Sequence, residues 1–171
     1  MKRCPLCGKM LAEISIDSRR IIIRGICPED RDKLLDFYNK LSDETIYTRF
    51  FSIIRYFDPY VERLVSKSGI LGVVAEDVET GEIVGVAELI LEKNGVAEGG
   101  IVILESMQGK GLGSTMAKVM RDIARSFGIK RVYGYILADN VKALKLVKKL
   151  GGRLKEYYSS MILVEIPLNG D

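Results

Sequence analysis

The sequence predicts one α/β domain of the mixed α+β kind, with a mostly antiparallel central sheet, a parallel β-α-β unit and helices on both faces. Strand-like runs between residues 70 and 104 follow one another with short turns between them, which is typical of an antiparallel meander. A glycine-rich stretch, residues 108–113 (QGKGLG), then leads into a run with helical periodicity. The strand-like run 131–137 comes after that helix, and a helical crossover joins parallel strands.

The first third of the chain predicts a short strand followed by helices. Residues 21–26 are rich in isoleucine, which favours a strand. Pro28, with two acidic residues after it, predicts a helix start. Ser42 predicts the N-cap of a second helix over residues 43–57. That helix is expected to end before Pro59, because proline cannot continue it.

The rest of the chain alternates between strand and helix periodicity. Asn94-Gly95 is a strong hairpin signal and predicts a two-residue turn between the second and third strands of the meander. After the glycine-rich stretch a helix is expected up to Gly128, and Asn140 opens another with one apolar face. The predicted strands of this part are 70–78, 82–93, 96–104, 131–137, 153–157 and 161–166.

Composition excludes several classes of function. The chain has 171 residues, of which 47% are hydrophobic and 29% charged, and this suits one domain with a real core. A net charge of +3 is too small to indicate direct nucleic-acid binding. No apolar run reaches membrane length and the N-terminus lacks a signal-peptide core, so we expect no membrane contact and a cytoplasmic location. Composition leaves the oligomeric state open.

Residues 1–19 are expected to form an N-terminal appendage and residues 20–171 the main domain. The appendage holds Cys4 and Cys7 in a C-x-x-C-G pattern that is typical of one zinc-ribbon knuckle. A structural zinc site needs four ligands, and the chain has no second C-x-x-C and no histidine. Half of a site completed by another subunit, a local disulfide and a pair without metal all stay open. Cys27 is interpreted as a turn residue, so no metal site of the chain's own is predicted.

The glycine-rich stretch predicts an anion site. Glycines let the backbone approach a ligand closely, and the N-terminus of the following helix adds partial positive charge, so the expected ligand is a phosphate. A Walker loop is excluded because Gly113 is followed by Ser114 and not by lysine. A dinucleotide fingerprint is excluded by the alternate spacing of Gly109, Gly111 and Gly113.

The same residues resemble the signature of the GCN5-related N-acetyltransferase (GNAT) superfamily. The pattern [Q/R]-x-x-G-x-[G/A] is met by Gln108, Gly111 and Gly113. The next motif of the superfamily is similar to residues 140–151, at the usual distance along the chain. Together the two motifs cover residues 96–152, and the order of elements extends the resemblance to about 21–166.

A narrower likeness is found in two further stretches. Residues 41–51 (LSDETIYTRFF) look like the first-helix region of the protein lysine acetyltransferase (Pat-like) branch of the superfamily. Ala97-Glu98, at its distance before Gln108, also looks like that branch. The resemblance implies acetyl-CoA as co-substrate and a protein lysine as acceptor.

The resemblance also implies how the chain would hold coenzyme A. Backbone N–H groups of the glycine-rich stretch would bind the pyrophosphate, Gln108 would hold the loop, and the preceding strand would pair with the pantetheine arm. Asn140 would contact the cofactor, although a plain helix cap explains that residue equally well. The residues assigned to the cofactor are Val102, Ile103, Leu104, Gln108, Gly109, Lys110, Gly111, Leu112, Gly113, Ser114 and Asn140.

Glu98 is the general base that the resemblance implies. A lysine ammonium with a pKa near 10.4 must lose a proton before it can attack, which costs about 4.6 kcal/mol at pH 7. With no histidine in the chain, a carboxylate is the leading candidate. A two-residue turn would set Leu91 opposite Glu98 and place Glu98 among apolar side chains, which would raise its pKa. Glu88 and Glu92 would then lie on the opposite face.

Val147 stands where many members of the superfamily carry a tyrosine that acts as general acid. A thiol with a pKa of about 8.5 leaves as thiolate at a cost near 2 kcal/mol at pH 7, so that acid is dispensable. Tyr47, Tyr133 and Tyr135 are the candidate substitutes.

The expected mechanism is direct attack within a ternary complex, with the oxyanion held by a strand N–H near Val102 and Ile103. Two rival functions use the same core. One is acetylation of a protein α-amine or a small-molecule amine, and the other is a non-catalytic sensor that binds acyl-CoA. Glu98 argues against the sensor, because a sensor needs no base.

Overall fold

The computed structural model of the chain describes residues 4–66 and 68–168. Its strands are β1 (Met10–Ile16), β2 (Arg19–Gly25), β3 (Ile70–Asp77), β4 (Ile83–Leu91), β5 (Val96–Ile103), β6 (Arg131–Leu137), β7 (Arg153–Tyr158) and β8 (Met161–Pro167). Its α-helices are α1 (Arg31–Lys40), α2 (Asp43–Phe50), α3 (Asp58–Ser66), α4 (Leu112–Ser126) and α5 (Val141–Lys149).

The strands form one sheet in the order β1-β2-β3-β4-β5-β6-β8-β7. Neighbouring strands are antiparallel except β5 and β6, which are parallel and are joined through α4. The predicted mixed, mostly antiparallel sheet with one β-α-β unit is therefore confirmed.

The N-terminal segment contributes a strand to the sheet. β1 pairs with β2 from Met10↔Arg24 to Ile16↔Arg19, and Leu6 is buried in the core. The boundary expected after residue 19 therefore falls inside a hairpin of the sheet and not at a linker. β1 is an edge strand with mostly exposed or half-buried side chains, which explains why its sequence carries so weak a strand signal. Residues 1–3 of the expected appendage lie outside the described residues.

The second and third helices differ from the prediction at their junction. Ser42 caps α2 as expected, because its hydroxyl accepts the N–H of Thr45 at 3.1 Å. α2 ends at Phe50 and not at residue 57, since Phe51 adopts a left-handed conformation with φ 61°. Pro59 then lies in the first turn of α3, where a missing N–H costs nothing. The proline begins a helix instead of ending one.

The turn between β4 and β5 contains one residue more than predicted. Residues 93–95 form a 3₁₀ turn, in which Asn94 and Gly95 both have left-handed φ angles, 63° and 72°. The N–H of Glu92 bonds to the carbonyl of Val96 at 2.8 Å and closes this turn. The dipeptide signal located the hairpin correctly but gave the wrong loop length.

This extra residue reverses the expected placement of Glu98. Glu98 pairs with Ile90 and not with Leu91. Because a shift of one residue moves side chains to the other face of the partner strand, Glu98 shares its face with Glu88 and Glu92. The prediction that these two carboxylates lie on the opposite face was wrong.

Separate apolar cores cover the two faces of the sheet, so the prediction of helices on both faces is confirmed. On one face Met116 and Met120 of α4 pack against β2, β3 and β4. On the other face Leu34 of α1, Ile46 of α2 and Val61 of α3 pack in a second core that also contains Val102 of β5. Side chains two residues apart on a strand share a face, so Glu98 lies on the side of α1, α2 and α3.

The central parallel pair opens into a cleft. Three register pairs join β5 to β6, from Val96↔Arg131 to Glu98↔Tyr133. Beyond that point β5 remains paired with β4 up to Ile103, and β6 remains paired with β8. The strands therefore diverge just after Glu98. We call the space between residues 99–103 of β5 and 134–137 of β6 the cleft.

Candidate active site

The glycine-rich loop follows β5 and leads into α4. Gly109 and Gly111 have left-handed φ angles of 74° and 90°, and a Cβ at either position would meet no heavy atom within 4 Å. Glycine is needed here for the backbone conformation, and the loop is open to the outside. Leu112 begins α4, with Gly113 and Ser114 half-buried in its first turn. The first N–H groups of a helix have no partner within it, so this end suits an anion.

Gln108 ties the loop to two elements of the core. Its side-chain amide donates to the carbonyl of Ile103 at 2.8 Å and lies 3.3 Å from the hydroxyl of Thr45 on α2. In this position Gln108 holds the start of the loop against the end of β5.

The backbone of β5 presents alternate residues to the cleft. The N–H of Leu104 bonds to the carbonyl of Val84 at 2.9 Å, so Leu104 and Val102 direct their backbone groups to β4. Ile101 and Ile103 direct theirs to the other side, into the cleft. The backbone groups of Ile101 and the N–H of Ile103 can pair with an extended ligand or stabilise an oxyanion, whereas the carbonyl of Ile103 already accepts the Gln108 side chain. The expectation that Val102 and Leu104 would also do so is therefore corrected.

Three side chains assigned to the cofactor have other partners. Lys110 forms an ion pair with Asp17 in the β1–β2 turn. Leu112 is fully buried beneath α4, so only its backbone can face a ligand. Asn140 accepts the N–H of Ala143 at 3.2 Å, which is the plain helix cap that the sequence allowed.

Glu98 is half-buried at the point where the cleft begins. Its burial raises the pKa of its carboxyl group. The charge of Arg49 opposes that shift, and the neighbouring carboxylates of Glu92 and Glu88 add to it. A carboxylate with a raised pKa beside an open cleft is suited to accept a proton.

A buried cluster beside Glu98 was missed by the sequence analysis. Arg49 of α2 donates to the carboxylate of Glu88 at 2.5 Å, and Tyr60 of α3 also donates to Glu88. Only 4% of the Glu88 side chain and 24% of the Arg49 side chain are exposed. Burial raises the pKa of Tyr60, so its hydroxyl stays protonated. We call Arg49, Tyr60 and Glu88 the arginine cluster.

The absence of a side chain at Gly100 makes room for this cluster. Gly100 pairs with Glu88 across β4 and β5. A Cβ at Gly100 would lie 2.2 Å from Nη2 of Arg49, so the guanidinium crosses β5 at this residue. Gly100 is the next position after Glu98 on the same face, which puts the positive charge beside the candidate base.

Tyr133 is the tyrosine that the structure brings to Glu98. It occupies the register position beside Glu98 on β6, and its hydroxyl donates to Glu92 at 3.0 Å. Burial and the nearby carboxylates of Glu92 and Glu98 raise the pKa of Tyr133. Its hydroxyl therefore stays protonated at neutral pH and can donate a hydrogen bond.

The other positions considered for the acid differ in their surroundings. Val147 is buried and packs with Ile162 and Val164 in the small core under α5, so this position belongs to the core. Tyr47 is exposed on α2, and Tyr135 is exposed on β6 two residues beyond Tyr133.

A family model described as the acetyltransferase (GNAT) family matches residues 34–152. The chain belongs to this family. It is therefore an acetyl-CoA-dependent N-acetyltransferase, and acetyl-CoA is its co-substrate. The predicted likeness, made on the glycine-rich loop and residues 140–151, is confirmed at the level of the family.

Two curated GNAT relatives are similar over most of this chain. Acetyltransferase PA5475 of Pseudomonas aeruginosa is 28% identical over 141 residues, which cover 79% of this chain and 76% of that protein. Acetyltransferase Pat of Mycolicibacterium smegmatis is 26% identical over 133 residues, which cover 75% of this chain. The chain spans only 40% of the length of that second relative.

Solved structures with the GNAT fold superpose closely on this chain. The GNAT domain of S. lividans PAT has a TM-score of 0.82 and 24% identity, over 92% of this chain and 96% of that one. Spermidine N-acetyltransferase from Vibrio cholerae, solved with CoA and spermine, has a TM-score of 0.70 and 21% identity, over 86% and 95%. At these identities the superpositions establish the fold.

The residues present suit acetyl-CoA. The open N-terminal end of α4 offers backbone donors to a pyrophosphate, and Ile101 and Ile103 offer backbone groups along the cleft. Among the described residues, no helix is both long and apolar enough to cross a membrane.

Proposed function

We propose that this GNAT enzyme acetylates the ε-amine of lysine side chains in proteins, with Glu98 as the general base. The observation that carries the proposal is the position of Glu98, half-buried with a raised pKa where the cleft opens. A lysine ammonium must lose its proton before it can attack, and a base of raised pKa takes it more readily. The match to Acetyltransferase Pat supports the likeness of residues 41–51 to the Pat-like branch.

A row of aromatic side chains supports a lysine acceptor on a large molecule. The rings of Tyr133 and Tyr135 are 6.3 Å apart, and so are those of Tyr135 and Tyr158. Tyr135 is 40% exposed and Tyr158 45% exposed, so the row runs from beside Glu98 to the surface. Aromatic faces attract ammonium groups, and an open row admits a side chain presented by a protein. This row is the proposed path of the acceptor lysine.

In the proposed reaction, Glu98 accepts a proton from the lysine ammonium, and the neutral amine attacks the thioester carbonyl supplied by acetyl-CoA. A C–N bond forms, the C–S bond breaks, and the second proton of the attacking nitrogen passes to solvent. The N–H groups of Ile101 and Ile103 would stabilise the oxyanion, since they point into the cleft. The Tyr133 hydroxyl would donate a hydrogen bond to the departing thiolate, which takes its proton from solvent.

Arg49 would act as a positioning residue in this scheme. Its charge opposes the effect of burial on the pKa of Glu98 and so favours the ionised form that can accept a proton. Its bond to Glu88 also fixes α2 over β4. Tyr60 holds the same carboxylate from α3, which keeps the cluster in place.

The experiment that tests the proposal is transfer from labelled acetyl-CoA to a panel of acceptors. The panel contains folded proteins, a lysine peptide with a blocked N-terminus, its Lys→Arg counterpart with a free N-terminus, and a polyamine. We expect label on the lysine peptide and on internal lysines of proteins. Transfer to the free α-amine or to the polyamine alone would replace the lysine proposal with one of its rivals. Tight binding of acetyl-CoA without any transfer would indicate a sensor.

A further inference from the structure

A group of sulfur and carboxylate atoms lies at the N-terminal side of the sheet, outside the acetyltransferase site. Sγ of Cys7, Sγ of Cys27 and a carboxylate oxygen of Glu29 all lie within 4.8 Å of one another. Cys7 and Cys27 are joined by a disulfide in the structure. Two thiolates at ~2.3 Å from a tetrahedral zinc ion are about 3.8 Å apart. The three side chains therefore lie within the span of one metal site.

The disulfide answers a question that the sequence left open. Its two cysteines are 20 residues apart, so the local Cys4–Cys7 disulfide is not the one formed. Cys27 lies at the N-cap of the 3₁₀ turn Pro28–Asp30, as its interpretation as a turn residue implies, and its sulfur is also bonded to Cys7. The prediction of no metal site rested on an incomplete ligand set, and the fold brings Cys27 and Glu29 close to Cys7.

The turn around Cys4 and Cys7 has the form of a metal knuckle. The N–H of Cys7 bonds to the carbonyl of Cys4 at 2.9 Å, and Gly8 follows with a left-handed φ of 76°. The turn is pressed against β2, because a Cβ at Gly25 would lie 1.8 Å from the carbonyl oxygen of Leu6. A C-x-x-C pair in such a turn is the usual half of a structural zinc site.

Cys4 is in the same turn as Cys7, but its Sγ is not among the atoms within 4.8 Å of one another. Its Sγ is 4.0 Å from the carbonyl oxygen of Gly72, and the same oxygen accepts the N–H of Ile26 at 3.0 Å. Ile26 directly precedes Cys27 in the chain. To act as a zinc ligand, Cys4 would have to turn its sulfur away from Gly72 and towards the other two.

The carboxylate ligand is Glu29 and not Asp30. The Asp30 carboxylate is 5% exposed and accepts two N–H groups of Arg24, at 2.9 and 2.8 Å, and the N–H of Cys27 at 2.8 Å. These bonds hold it in the helix start. Glu29 is exposed, and its carboxylate is within the 4.8 Å group.

We propose that the reduced chain binds one zinc ion through Cys4, Cys7, Cys27 and Glu29. A dithiol reductant first converts the disulfide to two thiols, which gain two electrons and two protons while the reductant becomes a disulfide. Zinc then displaces the thiol protons and binds the thiolates. The ion would tie residues 4–9 to the start of the helical region, as the disulfide does in the oxidised chain.

The test uses the full chain, freed of metal with a chelator and reduced with a phosphine under exclusion of air. Cobalt(II) is added first, because its spectrum reports thiolate ligands and tetrahedral geometry. We expect one cobalt per chain, with thiolate-to-cobalt charge-transfer bands that zinc abolishes on addition. Chain that has not been reduced should bind neither ion at this site. Failure of the reduced chain to bind one ion, or equal binding by the oxidised chain, would overturn the proposal.

Variants identify the ligands. Cys27→Ser removes a direct ligand. It should therefore weaken zinc binding by more than about 100-fold, which is the upper end of the loss when a residue that only supports a ligand is replaced. Cys4→Ser and Glu29→Gln should each weaken it as well, and Asp32→Asn, an exposed carboxylate three residues further on, should not. Wild-type affinity in any of the first three, with a native circular dichroism spectrum, would contradict the proposed ligand set. These readouts do not depend on acetyl transfer, so the result is separate from that of the proposed function.

Discussion

The guanidinium of Arg49 bonds to the carboxylate of Glu88 at 2.5 Å, on the face of the sheet that also carries Glu98. It crosses β5 at Gly100, where any Cβ would displace it. The charge of Arg49 therefore acts both on Glu88, to which it is bonded, and on Glu98. Glu88 is buried and Glu92 is exposed, whereas Glu98 is half-buried at the mouth of the cleft, where burial raises its pKa.

Replacement of Glu98 by glutamine should lower turnover by roughly 10²- to 10⁴-fold, the usual contribution of a positioned general base. Binding of CoA, measured by calorimetry, should be unchanged, because the loop and the backbone of β5 are untouched. Raising the pH should recover part of the loss, since more acceptor amine is then neutral. Near-normal turnover at saturating acetyl-CoA would exclude Glu98 as the base.

The same variant should be more stable than the wild type at neutral pH. The pKa of Glu98 is raised in the folded chain, so ionisation of this group disfavours folding. The stability that it contributes is present below its ordinary pKa of about 4.3 and is lost as the pH rises through the raised value. Thermal unfolding should therefore show a higher Tm for Glu98→Gln at pH 7 and equal Tm values near pH 3.

Loss of Arg49 should change both stability and pH dependence. Arg49→Ala leaves a buried carboxylate without its cation, which should cost on the order of 3 kcal/mol in the free energy of unfolding. The pKa of Glu98 should rise further, so the acidic limb of the pH–rate profile should move to higher pH. Arg49→Lys keeps a positive charge, so the acidic limb of its pH–rate profile should shift less than that of Arg49→Ala.

Arg55→Ala is the matched control for this series. Arg55 pairs with Asp43 at the surface, and 70% of its side chain is exposed. Its removal should lower the free energy of unfolding by less than about 1 kcal/mol and should leave the pH–rate profile unchanged. If the pH–rate profile of Arg49→Ala is the same as that of the wild type, Arg49 only stabilises the fold and does not affect the pKa of Glu98.

Removal of the Tyr133 hydroxyl should slow the step in which the thiol leaves. A thiolate leaves at a cost of about 2 kcal/mol at pH 7, so the loss in turnover for Tyr133→Phe should not exceed about 30-fold. An acetyl thioester of a more acidic thiol should restore the rate, because that leaving group needs no proton. Tyr157→Phe, an exposed tyrosine of β7, serves as control and should match the wild type. Equal losses with both thioesters would assign Tyr133 another role.

Gly113→Ala should separate cofactor binding from folding. A Cβ at Gly113 would meet only Cγ1 of Ile103, at an ordinary 3.9 Å, and alanine favours a helix by up to ~1 kcal/mol over glycine. The free energy of unfolding should therefore stay equal or rise. The added methyl group narrows the proposed pyrophosphate site, and we expect the Kd for CoA to increase about tenfold, which is 1.4 kcal/mol. Unchanged CoA affinity in this variant would remove Gly113 from the binding site.

Features that depend on neighbours along the chain could be predicted from the sequence. The caps at Ser42 and Asn140 are bonds to an N–H three residues away, so local patterns identify them. The left-handed glycines of the loop, Gly109 and Gly111, are required by backbone conformation alone. The fold class followed from the order of such elements, and the motif in the glycine-rich loop and the motif at residues 140–151 carried the likeness to the family.

The tertiary structure decided what depends on register and on long-range contact. One extra residue in the turn at residues 93–95 moved Glu98 to the side of Glu88, because side chains alternate along a strand. Arg49 reaches Glu88 from 39 residues away, and Cys7 reaches Cys27 from 20. The sequence by itself predicted most of the elements, although not β1, and it predicted that an anion-binding loop follows the meander. Packing of the helices on the sheet decided which charges meet, because that packing is set by contacts that no local pattern records.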